Sequence, residues 1–205
     1  MCSRYEMNAR PAALKGRFRI EGDIPDLARV PPTGGHSHAE VRPTDPAPIV
    51  VAGPAGGRHA RPARFGLEVS WDDKPLINAR AETLLSKPTF RSLIGNRCLV
   101  PASAYFEWRR NGARRHRNRI APVEETGLMG FAGLYDGDRF VIVTCAPAAA
   151  VAHVHDRMPV ILSPDAEESW LDARLGPERT MSLLQPFEGI AAIEDASRQN
   201  DLFGE

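Results

Sequence analysis

The most distinctive chemistry in this sequence belongs to Cys2, which directly follows the initiator methionine. A small side chain at this position generally permits removal of Met1, which would leave a cysteine with both a thiol and a free α-amine. The pKa of an α-amine is about 7.7–8.0, against about 10.4 for lysine, so roughly a tenth is unprotonated at neutral pH. Such an amine can attack an aldehyde to form a Schiff base, and the adjacent thiol can then close a thiazolidine ring. Cys2 is therefore a candidate nucleophile for an aldehyde.

Histidines raise the alternative of a metal site. His36 and His38, and likewise His153 and His155, are spaced so that an extended strand would place both imidazoles on one face, and Cys145 is near the second pair in sequence. However, the first pair lies in a glycine-rich segment, and no carboxylate stands at a convincing ligand spacing. We therefore predict neither a metal nor a cofactor.

The charge distribution says more than the net charge, because 26 basic and 26 acidic residues balance each other. The segment Arg109–Arg119 carries six arginines and no acidic residue, and a second basic cluster spans Arg58–Arg64. Acidic residues gather in the C-terminal third. Such segregation can place one basic face on a neutral protein, although a solvated hairpin tip would give the same pattern.

The composition is that of an ordinary globular domain, with 205 residues, 42% apolar and 25% charged. No apolar run approaches the roughly 20 residues needed to cross a bilayer, and the N-terminus shows no secretory signal. The three cysteines form no disulfide framework and indicate reduced thiols in the cytoplasm.

Short strands, which would position the reactive side chains, dominate the chain after residue 64. Apolar alternation and the intervening turn residues predict six of them. They are Phe65–Val69, Leu76–Arg80, Arg97–Pro101, Ala104–Arg109, Leu128–Tyr135 and Arg139–Cys145. The last two are predicted to form a hairpin around a glycine-containing turn.

Loops and short helices complete the predicted fold. Residues 31–63 are rich in proline and glycine, which indicates loops around one short strand, Ile49–Ala52. Helices are predicted over Ala81–Leu85, Thr89–Ile94, about 164–174 behind the N-cap Ser163, and Pro177–Leu184. We expect an α+β protein with a single domain over 1–205, built on a β-rich, barrel-like antiparallel sheet with short flanking helices. Its C-terminal part, 163–205, would hold the last two helices and a strand.

Four segments together resemble the SOS response-associated peptidase (SRAP) family of abasic-site processing proteins. The strings Asn-Ala-Arg-Ala-Glu-Thr at 78–83 and His-Asp-Arg-Met-Pro at 155–159 are the most specific. The motifs occur in the family's order and cover roughly residues 1–162. The segments are Met1–Tyr5, Ile77–Thr83, Arg97–Ala102 leading into Tyr105–Trp108, and His155–Val160.

The resemblance implies four catalytic residues. Cys2 would join the ring-opened sugar aldehyde of an abasic site, and Asn78 would position both. Glu107 would help to remove Met1 and shuttle protons, and His155 would assist Schiff-base chemistry and sugar ring opening. A partly buried glutamate or a histidine can exchange protons near neutral pH, as these roles require.

The resemblance also implies a surface for DNA. Arginine suits phosphate because its planar fork donates two parallel hydrogen bonds, and an aromatic side chain can stack on any unpaired base. The positions that match DNA contacts in the family are the arginines Arg4, Arg80 and Arg157, the apolar wedge Pro43 and Trp71, and Thr144 from a weaker motif.

The implied function is covalent crosslinking to abasic sites in single-stranded DNA through Cys2, which shields the lesion in the DNA damage response. It implies a thiol autopeptidase that removes Met1, and we expect a cytoplasmic monomer that joins the nucleoid when bound to DNA. Two alternatives use the same residues. One is an N-terminal-nucleophile cysteine peptidase or amidohydrolase, and the other is a non-enzymatic nucleic-acid-binding module that uses Arg109–Arg119.

The chain departs from the family's usual pattern at three places: at Ser3, in the segment before Pro43, and in Gly66–Trp71, which lacks the family's proline. Ser3 stands where the family usually has glycine, which reaches backbone conformations closed to serine. If the active site needs such a conformation, Ser3 would displace Cys2. Glu40 and Arg42 occupy the segment before Pro43, where an asparagine of the family is lost and a charge is added.

Overall fold

A computed structural model describes residues 2–26, 40–53, 56–112, 114–123 and 127–194. These residues form a mostly β structure with four short α-helices. The strands are β1 (Arg4–Glu6), β2 (Ile20–Glu21), β3 (Glu40–Val41), β4 (Pro46–Ala52), β5 (Arg58–Phe65), β6 (Leu67–Val69), β7 (Asp72–Leu76), β8 (Asn78–Arg80), β9 (Arg97–Ala102), β10 (Ala104–Asn111), β11 (Arg114–Pro122), β12 (Met129–Asp136), β13 (Arg139–Cys145), β14 (Met158–Pro159), β15 (Ile161–Leu162) and β16 (Ile190–Glu194). The helices are α1 (Pro11–Phe18), α2 (Pro88–Arg91), α3 (Pro164–Leu171) and α4 (Pro177–Ser182), and a 3-10 turn covers Ala81–Thr83.

Two sheets carry the catalytic candidates. The first has the order β16-β11-β10-β1-β3 and is antiparallel. The second has the order β14-β13-β12-β9-β4-β5-β2, and β5 also pairs with β13, so that five strands close into a ring. The prediction of an α+β, barrel-like sheet with short flanking helices is therefore confirmed.

The ring contains some parallel pairings that the sequence did not predict. β13 runs parallel to β5 and to β8, and β2 runs parallel to β5. These pairs join strands that are distant in sequence and are not connected by a short turn, so turn residues do not predict them. The pairing with β8 places two of the site candidates, Asn78 and Arg80, beside β13.

Aromatic packing at the junction of the two sheets holds β1 in place. The ring of Tyr5 meets Phe65 and Phe131 edge-on, at centroid distances of 5.8 and 6.1 Å. Tyr105 on β10 meets Phe131 in the same way at 6.0 Å. Because Tyr5 and Tyr105 are fully buried and paired across β1 and β10, the position of Cys2 is set by the core.

The prediction of loops around one short strand in 31–63 was wrong for its second half. β4 begins at Pro46, earlier than predicted, and β5 extends over Arg58–Phe65. Prolines normally disrupt a ladder because they lack an amide donor. Here β4 pairs with β9 only at Val50 and Leu99. Pro46 and Pro48 therefore cost few hydrogen bonds between β4 and β9.

The C-terminal helices lie close to where the sequence places them. The hydroxyl of Ser163 accepts the amide of Ala166, which confirms the predicted N-cap of α3. α3 ends at Leu171, earlier than the predicted 174, because Asp172 is extended. None of the helices in the described ranges is long and apolar enough to cross a membrane.

Candidate active site

Cys2 lies immediately before β1 and is fully buried. Its thiol donates to the carbonyl oxygen of Arg4 at 3.8 Å, and its own carbonyl oxygen accepts the side-chain amide of Asn78 at 3.0 Å. Asn78 reaches this position because β8 pairs with β13, where Asn78 is opposite Ile142. A direct hydrogen bond thus joins Asn78 to Cys2.

Glu107 lies beside Cys2 because β10 pairs with β1. Phe106 is opposite Arg4 in that ladder, so the next residue of β10 faces the start of β1. The carboxylate of Glu107 is 3% exposed, and burial raises its pKa from the ordinary 4.5 to about 7. At neutral pH this group can therefore either give or take a proton.

His155 contacts the same carboxylate from the loop before β14. Its Nε2 lies 3.7 Å from Oε2 of Glu107, and its Nδ1 accepts the backbone N–H of Arg157 at 3.0 Å. This bond favours the neutral ring with its proton on Nε2, facing Glu107. Burial also lowers the pKa of His155, although the nearby Asp156 carboxylate, 2.9 Å from Nδ1, opposes that shift.

The Cys2 thiol stays protonated in this setting. Burial and the neighbouring Glu107 carboxylate both raise the pKa of Cys2 well above its ordinary value. A thiol of this kind is a weak nucleophile until a base removes its proton. The nearby Glu107 carboxylate, whose pKa is raised to about 7, is a candidate for that base.

A cleft of about 610 Å³ is lined by Glu107 and His155, whereas the buried Cys2 lies behind its walls. Ser3 lies in its wall, together with Glu107 and His155. Arginines of the β10–β11 hairpin extend the same cleft away from the catalytic groups: Arg109, Arg110 and Arg115. The cleft therefore places Glu107 and His155 next to a basic surface.

The serine at position 3 does not force an unusual backbone. Among the described non-glycine residues, positive φ angles occur at Arg19 and Thr44, and Ser3 is outside that region. A glycine is thus not needed at position 3 to hold this conformation. The conformational reason to expect a displaced Cys2 is absent.

Three of the residues matched to DNA contacts come together at one edge of the second sheet. Arg80 on β8 pairs with Thr144 on β13, and the guanidinium of Arg157 donates to the Thr144 carbonyl oxygen at 2.7 Å. Arg157 also forms two hydrogen bonds with Glu82, at 2.7 and 2.8 Å. Thr144 is fully buried, so its contact is with Arg157 rather than with solvent.

The remaining three lie apart from this cluster. The guanidinium of Arg4 stacks 5.3 Å above the ring of Trp108. Trp71 is 68% exposed in the turn between β6 and β7 and is outside the walls of the cleft. Pro43 is half-buried beside Thr44, whose φ of 76° marks a tight, strained turn.

Glu40 is a site residue that the sequence analysis missed. It is 6% exposed and accepts hydrogen bonds from Arg117 at 2.7 Å and from Arg42 at 2.9 Å, and Arg4 lies 3.6 Å away. These arginines hold the pKa of Glu40 below its ordinary value against the effect of burial. The only signal in the sequence was the joint appearance of Glu40 and Arg42 before Pro43.

The described part of the chain contains no group of three or more histidine, cysteine or acidic side chains that could hold a metal ion. Of the possible ligands His153, His155 and Cys145, His153 is exposed, whereas Cys145 is buried and burial raises its pKa to about 11. His36 and His38 lie outside the described residues.

The comparison with known families decides the affiliation of this chain. The family model described as SOS response associated peptidase (SRAP) matches residues 1–198, which include all of the catalytic candidates. The chain belongs to the SRAP family. The match extends beyond the motifs of 1–162 and takes in the C-terminal helices and β16 as part of the SRAP chain.

Curated relatives and solved structures agree with this affiliation. The SRAP chain is 36% identical over 204 residues to abasic site processing protein YobE of Bacillus subtilis, covering 92% of this chain and 90% of YobE. It is 33% identical over 122 residues to abasic site processing protein YedK of Escherichia coli, covering 55% of each. A crystal structure from Bacteroides thetaiotaomicron has a TM-score of 0.81 at 25% identity, covering 96% of this chain and 93% of that one.

Proposed function

We propose that this protein senses abasic sites in single-stranded DNA and forms a covalent crosslink to them through Cys2 after removal of Met1. The observation that carries the proposal is a chain of contacts, in which Asn78 is hydrogen-bonded to Cys2, Glu107 acts on the Cys2 thiol, and His155 contacts Glu107 at the wall of one cleft. Relatives that match nearly the whole chain are named abasic site processing proteins, which supports the same substrate. The crosslink would shield the lesion during the DNA damage response.

The first bond of the proposed crosslink forms between the Cys2 nitrogen and C1′ of the ring-opened sugar. The α-amine attacks the aldehyde to give a carbinolamine, which loses water to become an imine. Proton transfer to the departing hydroxyl comes from Glu107, whose pKa of about 7 suits this exchange. His155 assists by exchanging a proton with the sugar as its ring opens.

The second bond forms between Sγ of Cys2 and the same carbon. Glu107 takes the thiol proton, sulfur attacks the imine carbon, and the proton is returned to the nitrogen. The overall reaction joins an aldehyde and an aminothiol into a thiazolidine and releases one water. Because both nucleophiles belong to one residue, the ring closes without a second encounter.

Removal of Met1 belongs to the same proposal. The family name describes a peptidase, and hydrolysis of the Met1–Cys2 peptide bond would release the α-amine that the crosslink needs. Glu107 is the base that this hydrolysis would use, since its carboxylate lies next to Cys2. The protein would then be a thiol autopeptidase as well as a DNA-crosslinking protein.

The proposed DNA contacts are phosphate contacts together with an apolar wedge. Arg4, Arg80 and Arg157 would bind phosphates, while Thr144 holds Arg157 in place. Exposed Trp71 and the Pro43 turn would support unstacked bases, which favours a single strand and no particular sequence. One chain supplies every residue of the proposed site, in keeping with a monomer. The three cysteines are free and buried, which suits the reducing cytoplasm. The DNA-bound form would be located at the nucleoid.

The test is to mix the purified protein with an oligonucleotide that carries one aldehydic abasic site, and to measure complexes that survive denaturing electrophoresis. Cys2→Ala should abolish them. Cys2→Ser, once mass spectrometry shows that Met1 has been removed from it, keeps the amine but not the thiol, so its complex should survive only after reduction with borohydride. The matched control is Cys98→Ala, which removes another fully buried thiol and should crosslink like the natural protein.

Three results would overturn the proposal. Mass spectrometry that finds Met1 still attached in the crosslinking-competent protein would remove the α-amine from the mechanism. A wild-type protein that binds DNA without a denaturation-resistant complex would favour the binding module, and hydrolysis of added peptides without a crosslink would favour the amidohydrolase.

A further inference from the structure

The two strands of the β10–β11 hairpin carry a row of side chains on one face. In an antiparallel ladder, directly opposite residues share a face, and so do residues two apart on one strand. The row therefore contains three successive cross-strand pairs. They are Phe106 with Arg119, Trp108 with Arg117, and Arg110 with Arg115.

The first two arginines of this row have carboxylate partners. Arg119 donates two hydrogen bonds to Glu6, at 2.8 and 3.2 Å. Arg117 donates to Glu40 at 2.7 Å, and its guanidinium lies 3.8 Å from the centre of the Phe106 ring. In both steps the positive charge is compensated by a carboxylate from a more distant strand of the same sheet, β1 or β3.

The third step breaks this pattern. Arg110 faces Arg115, both side chains are exposed, and neither forms an ion pair or side-chain hydrogen bond with any described residue. Like charges directly opposite each other in a ladder are destabilising. An anion bound between the two guanidinium groups would remove that repulsion.

The position of the pair indicates which anion. Arg110 and Arg115 line the same cleft as Glu107 and His155. Arg110 is three residues along β10 from Glu107, about 10 Å in an extended strand, and on the opposite face of that strand, so the pair borders the cleft from the other side of β10. Two acidic groups line the cleft, Glu107 and Asp156; both contact His155, and in the described part of the chain neither forms an ion pair with Arg110 or Arg115.

We propose that the Arg110–Arg115 pair is a second phosphate-binding site, which holds the DNA strand a few nucleotides to one side of the abasic sugar. This inference rests on the proposed function, because it assigns the hairpin to the same bound strand. Arg80 and Arg157 belong to the other sheet, so the strand would be held at two separate places around Cys2. The arginine-rich segment is then part of the crosslinking site rather than an independent binding module.

The test measures binding of a fluorescent oligonucleotide that carries a tetrahydrofuran abasic analogue, which has no aldehyde and cannot crosslink. The dissociation constant is determined by anisotropy at several salt concentrations. Arg110→Gln/Arg115→Gln should lower the slope of log K against log salt by about 1.4, since each single-strand phosphate contact contributes about 0.7. The matched control is Arg114→Gln, an exposed arginine of the same hairpin that is outside the cleft and should keep the wild-type slope.

Shortening the oligonucleotide tests the placement. When the nucleotides on one side of the abasic analogue are cut to one, the salt slope of the natural protein should fall to that of the double variant. When the nucleotides on the other side are cut instead, the slopes of the two proteins should still differ. The double variant should unfold at no lower temperature than the natural protein, because it loses a repulsive pair. Equal slopes for the double variant and the natural protein would overturn the inference.

Crosslinking separates this inference from the proposed function. With an aldehydic abasic oligonucleotide at saturating protein, the double variant should reach the wild-type maximal rate, because Cys2 and Glu107 are unchanged. At limiting protein it should be slower. A wild-type protein that does not crosslink at all would contradict the proposed function, whereas the salt slopes would still decide the role of the hairpin.

Discussion

At the scale of single residues, the proposed active site depends on a carboxyl group that is buried away from water. Glu107 is almost completely withdrawn from water, which is why its pKa rises to about 7. In the unfolded chain the same carboxyl would lose its proton near 4.5. Between these two values the folded protein binds one more proton than the unfolded chain, so this group makes the fold less stable as pH rises.

Glu107→Gln should therefore stabilise the protein at alkaline pH while it slows crosslinking. The amide resembles the protonated carboxyl in shape, and the expected gain in the free energy of unfolding at pH 8 is about 3 kcal/mol. The gain should shrink as pH falls below 7 and vanish below 4.5. Urea denaturation at pH 4, 6 and 8 measures it, and a stability difference that does not change with pH would show that Glu107 has an ordinary pKa.

Ser3→Gly should preserve the rate of crosslinking within about twofold, because Ser3 has no positive φ that a glycine would relieve. The added flexibility of the unfolded chain should instead lower the free energy of unfolding by roughly 0.5–1 kcal/mol. Single-turnover kinetics and urea denaturation measure the two effects. A tenfold faster reaction in Ser3→Gly would mean that the serine holds Cys2 away from its best position.

At the scale of secondary structure elements, a buried ion cluster fastens two helices to the sheet. Glu167 on α3 is 1% exposed and binds both guanidinium nitrogens of Arg17 on α1, at 2.7 and 3.1 Å. Arg58 on β5 donates to the same carboxylate at 3.1 Å. A buried carboxylate that compensates two arginines is costly to remove, because the cations remain behind.

Glu167→Gln should lower the free energy of unfolding by about 3–5 kcal/mol. The matched control is Glu168→Gln, since its side chain is exposed on the same helix and its loss should change stability by less than about 0.5 kcal/mol. Urea denaturation of both variants at pH 7 makes the comparison. A loss below about 1 kcal/mol in Glu167→Gln would mean that the cluster does not hold the helices.

At the scale of the whole molecule, a net charge of zero conceals two separate groups of cations. One comprises Arg80 and Arg157 at the edge of β13, and the other comprises Arg110 and Arg115 at the end of the β10–β11 hairpin. They belong to different sheets, and neither shares a hydrogen-bonding partner with the other. Their contributions to DNA binding should therefore be independent.

Arg80→Gln should lower the salt slope of binding to abasic single-stranded DNA by about 0.7, as expected for one lost phosphate contact. When it is combined with Arg110→Gln and Arg115→Gln, the losses should add to about 2.1. Arg91→Gln, on exposed α2 away from the cleft, serves as the control for total charge. A slope that falls equally in Arg91→Gln would mean that long-range charge, and no specific contact, governs binding.

The sequence was most informative where structure depends on neighbouring residues. The β12–β13 hairpin and the Ser163 cap follow from turn and capping residues within a few positions of each other. The chemistry of Cys2 also follows from the covalent structure of one residue. The short sequence motifs indicated the SRAP family, because a motif is recognised from consecutive residues and does not depend on which β-strands pair.

Tertiary structure decided everything that depends on burial and on pairing between distant strands. The parallel pairing of β8 with β13 brings Asn78 to Cys2, and the β1–β10 ladder brings Glu107 beside it. The shift of the Glu107 pKa arises from desolvation, which no local pattern encodes. Likewise, the six arginines of one segment cannot be told apart in the sequence. In the structure, Glu6 compensates Arg119 and Glu40 compensates Arg117. The facing pair Arg110 and Arg115 has no such carboxylate among the described residues. Local chemistry was thus determined by the sequence alone, while its environment was determined by contacts that form only when the chain has folded.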